Sequence, residues 1–164
     1  MLIRLAKVSL VASSAFFLLL VVFNNLTDYG SNFEFVRHVL SMDTTFPGNR
    51  GMWRAHTSPI VHHAFYAMII VWELAAGALL AVAAGRMWRA RAKSADAWRK
   101  ATSLAVAGLT ISLLQWFIAF IIVGGEWFLM WQSNTWNGQT AAARMFTVFA
   151  LILVFLNQRD DDVG

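Results

Sequence analysis

Cysteine is absent from this sequence, and charged residues are scarce. The lack of cysteine excludes disulfides, thiolate metal sites, covalently attached c-type haem and cysteine nucleophiles within this chain. Charged residues make up only 13% of the 164 residues, whereas 59% are apolar, so there is too little charge to cover the surface of a soluble domain. The charges are also clustered. They leave long uncharged tracts of the kind that a hydrocarbon layer about 30 Å thick selects.

Motifs of several enzyme classes are missing as well. The sequence has no glycine-rich nucleotide-binding loop, no HExxH zinc pair and no serine nucleophile elbow. No nucleic-acid-binding motif accompanies the net charge of +4, so we attribute the charge to membrane topology rather than to a nucleic-acid partner. The loop of residues 86–100 is too short to be a catalytic domain, and an enzyme that acts alone is therefore not predicted.

What remains is four apolar tracts, which predict four transmembrane helices over residues of about 5–27, 59–85, 101–125 and 140–158. The first tract is too long for the apolar region of a signal peptide, and we interpret it as a retained helix. The fourth is the weakest, because Arg144 lies one turn inside it and its side chain must reach back to the membrane boundary.

Small residues recur at helix-packing spacing on two of these tracts. Gly77, Ala81 and Gly85 are four apart on the second tract, and Gly108 and Ser112 are four apart on the third. This spacing lets helix backbones approach closely in lipid. We therefore predict an all-α fold, an integral membrane four-helix bundle that occupies residues 1–164 as a single membrane domain.

A short helix is predicted in the loop after the first span, over residues of about 32–42. Ser31 and Glu34 have the spacing of a capping box, and the sequence Pro47-Gly48-Asn49 marks a stop after it. The helix has a broad apolar face but is too short to cross the bilayer, so we expect it to lie in the outer membrane interface.

The distribution of lysine and arginine predicts the orientation. One side of the predicted bundle carries nine such residues: Arg4, Lys7, Arg86, Arg89, Arg91, Lys93, Arg99, Lys100 and Arg159. The other side carries four: Arg37, Arg50, Arg54 and Arg144. Since cytoplasmic loops are enriched in lysine and arginine, both termini are predicted to be cytoplasmic, in the inner membrane of a bacterium.

Glu73 is the most informative residue, because it lies near the middle of the second span, where an unpartnered carboxylate is costly. His62 and Tyr66 share its helix face, and Ser112 and Gln115 share a face of the third span at a similar depth. Two interpretations remain open. These residues form a polar seam that serves as a proton route, a quinone head-group site or a small-solute site, or Glu73 is a structural residue that hydrogen-bonds Ser112 or Gln115 and keeps the helices in register.

Residue types that bind metals are also present in the outer half, as His38, Asp43, His62, His63 and Glu126. Such groups suit Zn or Cu, but their spacing matches no ligand signature. Only the second span carries a transmembrane histidine, so haem held between two histidines of this chain is not predicted, although one ligand could pair with a partner subunit. We predict no metal site and assign no cofactor, and quinone, haem and bound lipid are kept as alternatives.

The outer segment before the fourth span is rich in aromatic residues, namely Trp127, Phe128, Met130, Trp131 and Trp136. Three tryptophans in so short a stretch exceed the needs of an interfacial aromatic belt. Because aromatic residues and methionine are enriched at protein interfaces, the segment is a candidate surface for docking a partner. The alternative is that it folds back onto the first outer loop.

Several stretches resemble a bacterial family of predicted small integral membrane proteins, domain of unknown function 2165. They are residues 24–29 (NNLTDY), 35–45 (FVRHVLSMDTT), 125–133 (GEWFLMWQS) and 136–138 (WNG). The likeness covers essentially the whole chain. It implies a four-span bundle in a bacterial inner membrane, and it brings no agreed activity, cofactor or catalytic residue.

Three functions compete at this point. The first is a non-catalytic accessory or structural subunit of a larger inner-membrane complex, in contact with lipids and with other integral membrane subunits. The second is a membrane anchor in electron transfer that binds quinone or shares haem near the face of His62, Tyr66 and Glu73. The third is a small transporter or channel that uses Glu73. A transporter usually shows internal repeats with broken helices, and none is found in the sequence. The sequence favours the first function, with the second as the alternative.

Overall fold

The computed structural model describes residues 1–158, which form helices and connecting turns without any strand. Arg159, which entered the charge count above, lies outside the described residues. The elements in chain order are α1 (Leu2–Thr27), α2 (Tyr29–Ser41), α3 (Pro59–Ala90), α4 (Ala95–Leu114), a π-helical segment that continues α4 (Gln115–Trp127), and α5 (Gln139–Leu156). Short 3₁₀ turns cover Met52–Arg54 and Met130–Gln132.

Four helices are long and apolar enough to cross a membrane: α1, α3, α4 together with the π-helical segment, and α5. The all-α class and the four membrane-capable helices are confirmed. Two of these helices extend beyond their apolar tracts. Helix α3 continues five residues past Gly85, to Ala90, and α4 already begins at Ala95, where the Ser94 hydroxyl accepts a hydrogen bond from the Ala97 amide. Charged side chains end the apolar tract but do not end the helix.

The core between the long helices is built from buried aliphatic and aromatic side chains. Helix α1 packs along α3, α3 packs along α4, and α5 packs against α4 and the π-helical segment. Val11, Leu18, Leu80, Leu109 and Phe149 are all buried in this core. The core therefore runs through all four membrane-capable helices.

The predicted small-residue faces have different surroundings. A Cβ atom added at Gly77 would lie 3.1 Å from the Leu19 side chain, and one added at Gly108 would lie 2.8 Å from Leu80 Cγ. These two glycines therefore sit where helices meet. Gly85 differs, because nothing lies within 4 Å of the Cβ position there.

One end of the molecule, which we call the basic end, gathers Arg4, Lys7 and the α3–α4 connection. Arg4 and Lys7 are buried rather than exposed. Arg4 Nη1 donates to the carbonyls of Lys93, at 2.6 Å, and Arg91, at 3.3 Å, and Lys7 Nζ donates to the carbonyl of Gln158, at 2.7 Å. The first helix is thereby joined to the α3–α4 connection and to the end of α5.

The opposite end is covered by residues 28–58 and 126–138, which we call the cap. Its helix α2 begins at Tyr29, three residues before the predicted start, with Asp28 as the N-terminal flanking residue. The predicted capping box does not form, because the Ser31 hydroxyl donates to the Asp28 carboxylate at 2.7 Å and Glu34 pairs with Arg37 at 2.6 Å. The hydrogen bond from Arg37 lowers the pKa of the Glu34 carboxyl.

Candidate functional site

Glu73 lies in α3 with only 2% of its surface exposed, and its hydrogen-bond partner comes from α1. Asn25 Nδ2 donates to Glu73 Oε2 at 3.0 Å, and both side chains are buried. Neither of the partners suggested by the sequence fulfils that role. The Ser112 hydroxyl donates instead to the Gly108 carbonyl in its own helix, at 2.9 Å. The predicted hydrogen bond between Glu73 and Ser112 is therefore wrong.

Asn25 is the centre of a hydrogen-bond network that extends from Glu73 to the protein surface. Its Oδ1 accepts a hydrogen bond from Asn32 Nδ2 at 2.6 Å, and its backbone carbonyl accepts a longer one from the Tyr66 hydroxyl at 3.4 Å. Asn32 is exposed, whereas Tyr66 is buried. The carboxyl group of Glu73 is thus linked through two asparagines to the cap.

A cavity of about 230 Å³ lies beside this network. Its lining includes the side chains of Asn25, Asn32, Tyr66, Glu73 and Trp116, and the rest of the wall is mainly apolar. Small-molecule sites in proteins have this character, with an apolar wall and a few convergent polar groups. The cavity is therefore the candidate functional site.

Gln115 and Trp116 bring further buried polar groups to this region from the start of the π-helical segment. Both side-chain amide atoms of Gln115 and the indole N–H of Trp116 are buried and form no hydrogen bond with any described residue. The Gln115 amide lies beside the Glu73 carboxyl, but the two groups do not reach the geometry of a hydrogen bond. Buried polar groups without partners are uncommon in proteins, and here two neighbouring residues carry them.

The π-helical segment begins where α3 contacts α4. The Trp72 indole N–H donates to the Ile111 carbonyl at 3.0 Å, four residues before Gln115. The same carbonyl also accepts a hydrogen bond from the Gln115 backbone N–H, so the α-helical ladder is still intact at this point. The change from α to π hydrogen bonding alters the register of the residues that follow, and π-helical turns are frequent at functional sites.

The remaining seam residue, His62, does not join the cavity. It is buried nearer the start of α3, and its Nε2 donates to the His56 carbonyl at 2.7 Å. Of the five predicted seam residues, Tyr66 and Glu73 line the cavity, Gln115 is adjacent to Glu73, and Ser112 and His62 have other partners.

The five candidate metal ligands are not brought together. His38 Nδ1 is bonded to Asp43 at 2.9 Å, and His63 Nδ1 is bonded to the Tyr29 hydroxyl at 2.8 Å. Arg37 donates to His38 Nε2, which places the His38 proton on Nδ1, facing Asp43. Among residues 1–158, no group of three or more histidine or carboxylate side chains is arranged to hold a metal ion.

The aromatic segment before α5 folds back onto the first loop. Phe128 and Met130 are buried in a cluster with Val36, Leu40 and Met42 of the cap, so they are not available to dock a partner. Further contacts join the two parts of the cap. Trp136 stacks on His38 with ring centroids 4.6 Å apart, and the Thr44 hydroxyl donates to the Ser133 hydroxyl at 2.8 Å.

Trp127 and Trp131 remain exposed, and Trp127 belongs to a compact surface group with Trp53 and Arg54. We call these three residues the cap aromatic cluster. The two indole rings meet edge to face with centroids 5.8 Å apart. Arg54 lies over both rings and donates to the backbone carbonyl of Trp127 at 2.9 Å.

Sequence reasoning missed Asn25 and Asn32. A signal was present in the sequence, since Asn24 and Asn25 are amides inside an otherwise apolar tract. Polar side chains in membrane spans usually face the protein interior and find a polar partner there. The position of Asn25 close to the end of α1 hides this role, because the depth of Glu73 along its own helix points to Ser112 and Gln115 of the third apolar tract instead.

Comparison with known proteins identifies the family of this chain but no individual relative. No curated protein and no solved structure matches this chain. A family model described as predicted small integral membrane protein (DUF2165) matches residues 3–159, which is nearly the whole chain. The resemblance found in the sequence motifs is confirmed, and the chain belongs to this family of predicted small integral membrane proteins.

Proposed function

We propose that this chain is a non-catalytic accessory subunit of a larger protein complex in the inner membrane of a bacterium. One feature of the fold supports this role. The described residues are almost entirely taken up by four membrane-capable helices and the cap that joins them. Residues 1–158 therefore offer a membrane surface, the cap and a cavity for contacts with other molecules.

In the proposed topology, α1, α3, α4 with its π-helical segment, and α5 cross the bilayer as a four-helix bundle, and α2 lies in the outer interface. The basic end faces the cytoplasm, because it gathers most of the lysine and arginine residues. The cap then faces the periplasm, where its exposed tryptophans lie at the height of the lipid head groups.

The observation that carries the accessory role is the cap aromatic cluster. Trp53 is 74% exposed and Trp127 is 48% exposed, yet Arg54 holds both rings in a defined arrangement. Tryptophan and arginine are the residue types most enriched at energetic hot spots of interfaces. An interfacial belt does not require rings fixed in this way, whereas a preorganised docking surface gains affinity from it.

Mild-detergent purification of the tagged chain, followed by mass spectrometry, tests this proposal. We expect a partner integral membrane protein in a stoichiometric amount, and we expect Trp53→Ala with Trp127→Ala to reduce its recovery at least about tenfold, as hot-spot truncations do. Trp88→Ala is the matched control, because Trp88 is also an exposed tryptophan beneath an arginine, Arg91, but lies at the basic end. A chain that purifies alone from native membranes would refute the accessory role.

A membrane anchor in electron transfer is the second candidate, and the cavity beside Glu73 supports it. A quinone head group is a flat ring with carbonyl oxygens, which suits an apolar wall with a few hydrogen-bond donors. Haem is less well supported, since His62 Nε2 already bonds to the His56 carbonyl. Quinone recovered in solvent extracts of the purified protein, or a Soret absorbance band, would favour this candidate, and clean extracts and spectra would count against it.

A further inference from the structure

A second cavity adjoins the polar cavity beside Glu73. Its volume is about 110 Å³, and apart from the Trp72 indole its lining is formed by apolar side chains and glycine. The two cavities share four lining residues, namely Phe35, Val36, Ile69 and Phe120. A polar compartment and an apolar compartment therefore meet at these four side chains.

The polar compartment offers hydrogen-bond donors to a ligand. The Trp116 indole N–H is only a donor, and it is buried without a partner among the described residues. The Tyr66 hydroxyl makes only a long bond, 3.4 Å, to the Asn25 carbonyl. A carbonyl oxygen of a ligand accepts hydrogen bonds from such donors, and it would remove the cost of leaving them unsatisfied in an apolar setting.

Charge selects among carbonyl compounds. No lysine, arginine or histidine is found among the described residues that line either cavity. A phosphate head group buried there would lack a counter-charge and would be strongly disfavoured. The only ionisable side chains in the lining are the Glu73 carboxyl and the Tyr66 phenol, both acidic, and neither attracts an anion.

The size of the polar cavity is sufficient for a ring or a small ester head. Its volume of about 230 Å³ exceeds the roughly 150 Å³ of an engineered protein cavity that accepts benzene. The adjoining compartment of about 110 Å³ suits the first part of an aliphatic chain rather than a second head group.

We propose that the two adjoining cavities form one binding site for an uncharged amphiphile, whose carbonyl-bearing head lies beside Trp116, Tyr66 and Glu73 and whose apolar chain begins in the second cavity. A quinone and a neutral glycerolipid share this chemistry. The proposal supplies the site that the electron-transfer candidate needs, but it does not depend on the accessory role and it holds for a ligand without redox chemistry.

Native mass spectrometry of the full chain in detergent tests the site, with decyl-ubiquinone and dioctanoylglycerol as separate probes and phosphatidic acid as the charged comparison. We expect saturable binding of at least one neutral probe at one copy per chain. Binding of the quinone alone identifies a quinone site, and binding of the glycerolipid alone identifies a lipid site. Binding of neither neutral probe, or equal binding of phosphatidic acid, would overturn the proposal.

Two variants test where the head group of the ligand binds. Trp116→Phe keeps an aromatic ring but removes the N–H group, and we expect binding to weaken about tenfold. Tyr66→Phe removes the hydroxyl in the same way and serves if the first variant does not fold. Trp88→Phe is the control, because the same atoms are lost at the exposed basic end, and binding should not change. Unchanged binding in a folded Trp116→Phe or Tyr66→Phe variant would contradict the assignment of the polar end.

A third variant tests whether the aliphatic chain of the ligand occupies the second cavity. Ala119 lines the second cavity but not the first, so Ala119→Leu fills the apolar compartment alone. We expect it to weaken binding of decyl-ubiquinone severalfold while binding of the same ring without its decyl chain stays unchanged. Equal effects on both probes would show that the second cavity takes no part in binding. Recovery of the partner protein should be unaffected, which separates failure of this site from failure of the accessory role.

Discussion

At the scale of single residues, the amide side chain of Asn25 explains how a carboxyl group can be placed in the middle of α3. It donates to Glu73 and accepts from Asn32, so a buried carboxyl is joined to a surface amide. A carboxyl group without such a partner would be costly in the bilayer. Asn25 therefore serves both interpretations of Glu73, since a structural hydrogen bond and a polar binding site need the same partner.

The strength of this pair can be measured with the variants Asn25→Leu and Glu73→Leu and their combination. Each single variant leaves one buried group without its partner, so we expect each to cost about 1–3 kcal/mol of unfolding free energy. The double variant should cost less than their sum, with a coupling energy of about 0.6–1.7 kcal/mol. Unfolding in detergent, followed by tryptophan fluorescence, provides the measurement.

Glu73→Gln separates structure from chemistry at the same position. A glutamine still accepts a hydrogen bond from Asn25 but cannot ionise. If Glu73 only keeps the helices in register, this variant should retain stability to within about 1 kcal/mol and should still recover the partner protein. Loss of ligand binding or of cellular function in a stable, correctly assembled Glu73→Gln variant would assign a chemical role to the carboxyl group.

At the scale of helices, close packing depends on which small residue faces a neighbour. Gly108 of α4 meets the buried side chain of Leu80 of α3, whereas Gly85 of α3 faces outward. Both glycines stand at the same four-residue spacing in the sequence. The spacing indicates that close approach is possible, and the pairing of helices decides where it occurs.

Alanine substitutions at these two glycines should therefore have opposite effects. In Gly108→Ala the new Cβ would lie 2.7–2.8 Å from the buried Leu80 side chain, so that side chain or the two helices must shift, at a cost of about 1–3 kcal/mol. In Gly85→Ala the new Cβ has no neighbour within 4 Å. The better helix propensity of alanine should therefore leave stability unchanged or raise it by up to about 1 kcal/mol. Thermal unfolding of both variants under one condition makes the comparison, and equal losses would contradict the described packing.

At the scale of the whole molecule, Arg4 and Lys7 place the start of α1 at the same end as the α3–α4 connection. Their hydrogen bonds reach Arg91, Lys93 and Gln158. These two residues were counted in the sequence as topological charges. In the structure they also join three parts of the chain, so neutral substitutions at Arg4 and Lys7 would change both the charge balance and the packing.

The proposed orientation can be tested with single introduced cysteines, because the chain has none of its own. Ala92 at the basic end and Asn134 in the cap are both exposed. In intact cells with a permeable outer membrane, a membrane-impermeant maleimide should label Asn134→Cys, whereas Ala92→Cys should be labelled only after the inner membrane is disrupted. The reverse pattern would contradict the proposed orientation.

Several parts of the molecule were predictable, and each part that was not depends on a particular side-chain contact. The four membrane-capable helices were predictable because each contains a long apolar tract. The start of α2 was misplaced because Ser31 finds the nearby Asp28 carboxylate instead of capping the helix. The π-helical segment follows a contact between Trp72 and Ile111, which belong to different helices and have no relation in the sequence.

The sequence by itself determined the number of membrane-capable helices, their approximate positions and the place of Glu73 near the middle of the second one, because a backbone in a bilayer must satisfy its own hydrogen bonds within apolar stretches. Tertiary structure alone decided that Asn25 rather than Ser112 partners Glu73, that Phe128 and Met130 are buried, and that two cavities adjoin. These outcomes depend on which helix faces meet across the molecule. A pattern confined to one helix carries no information about the face opposite it.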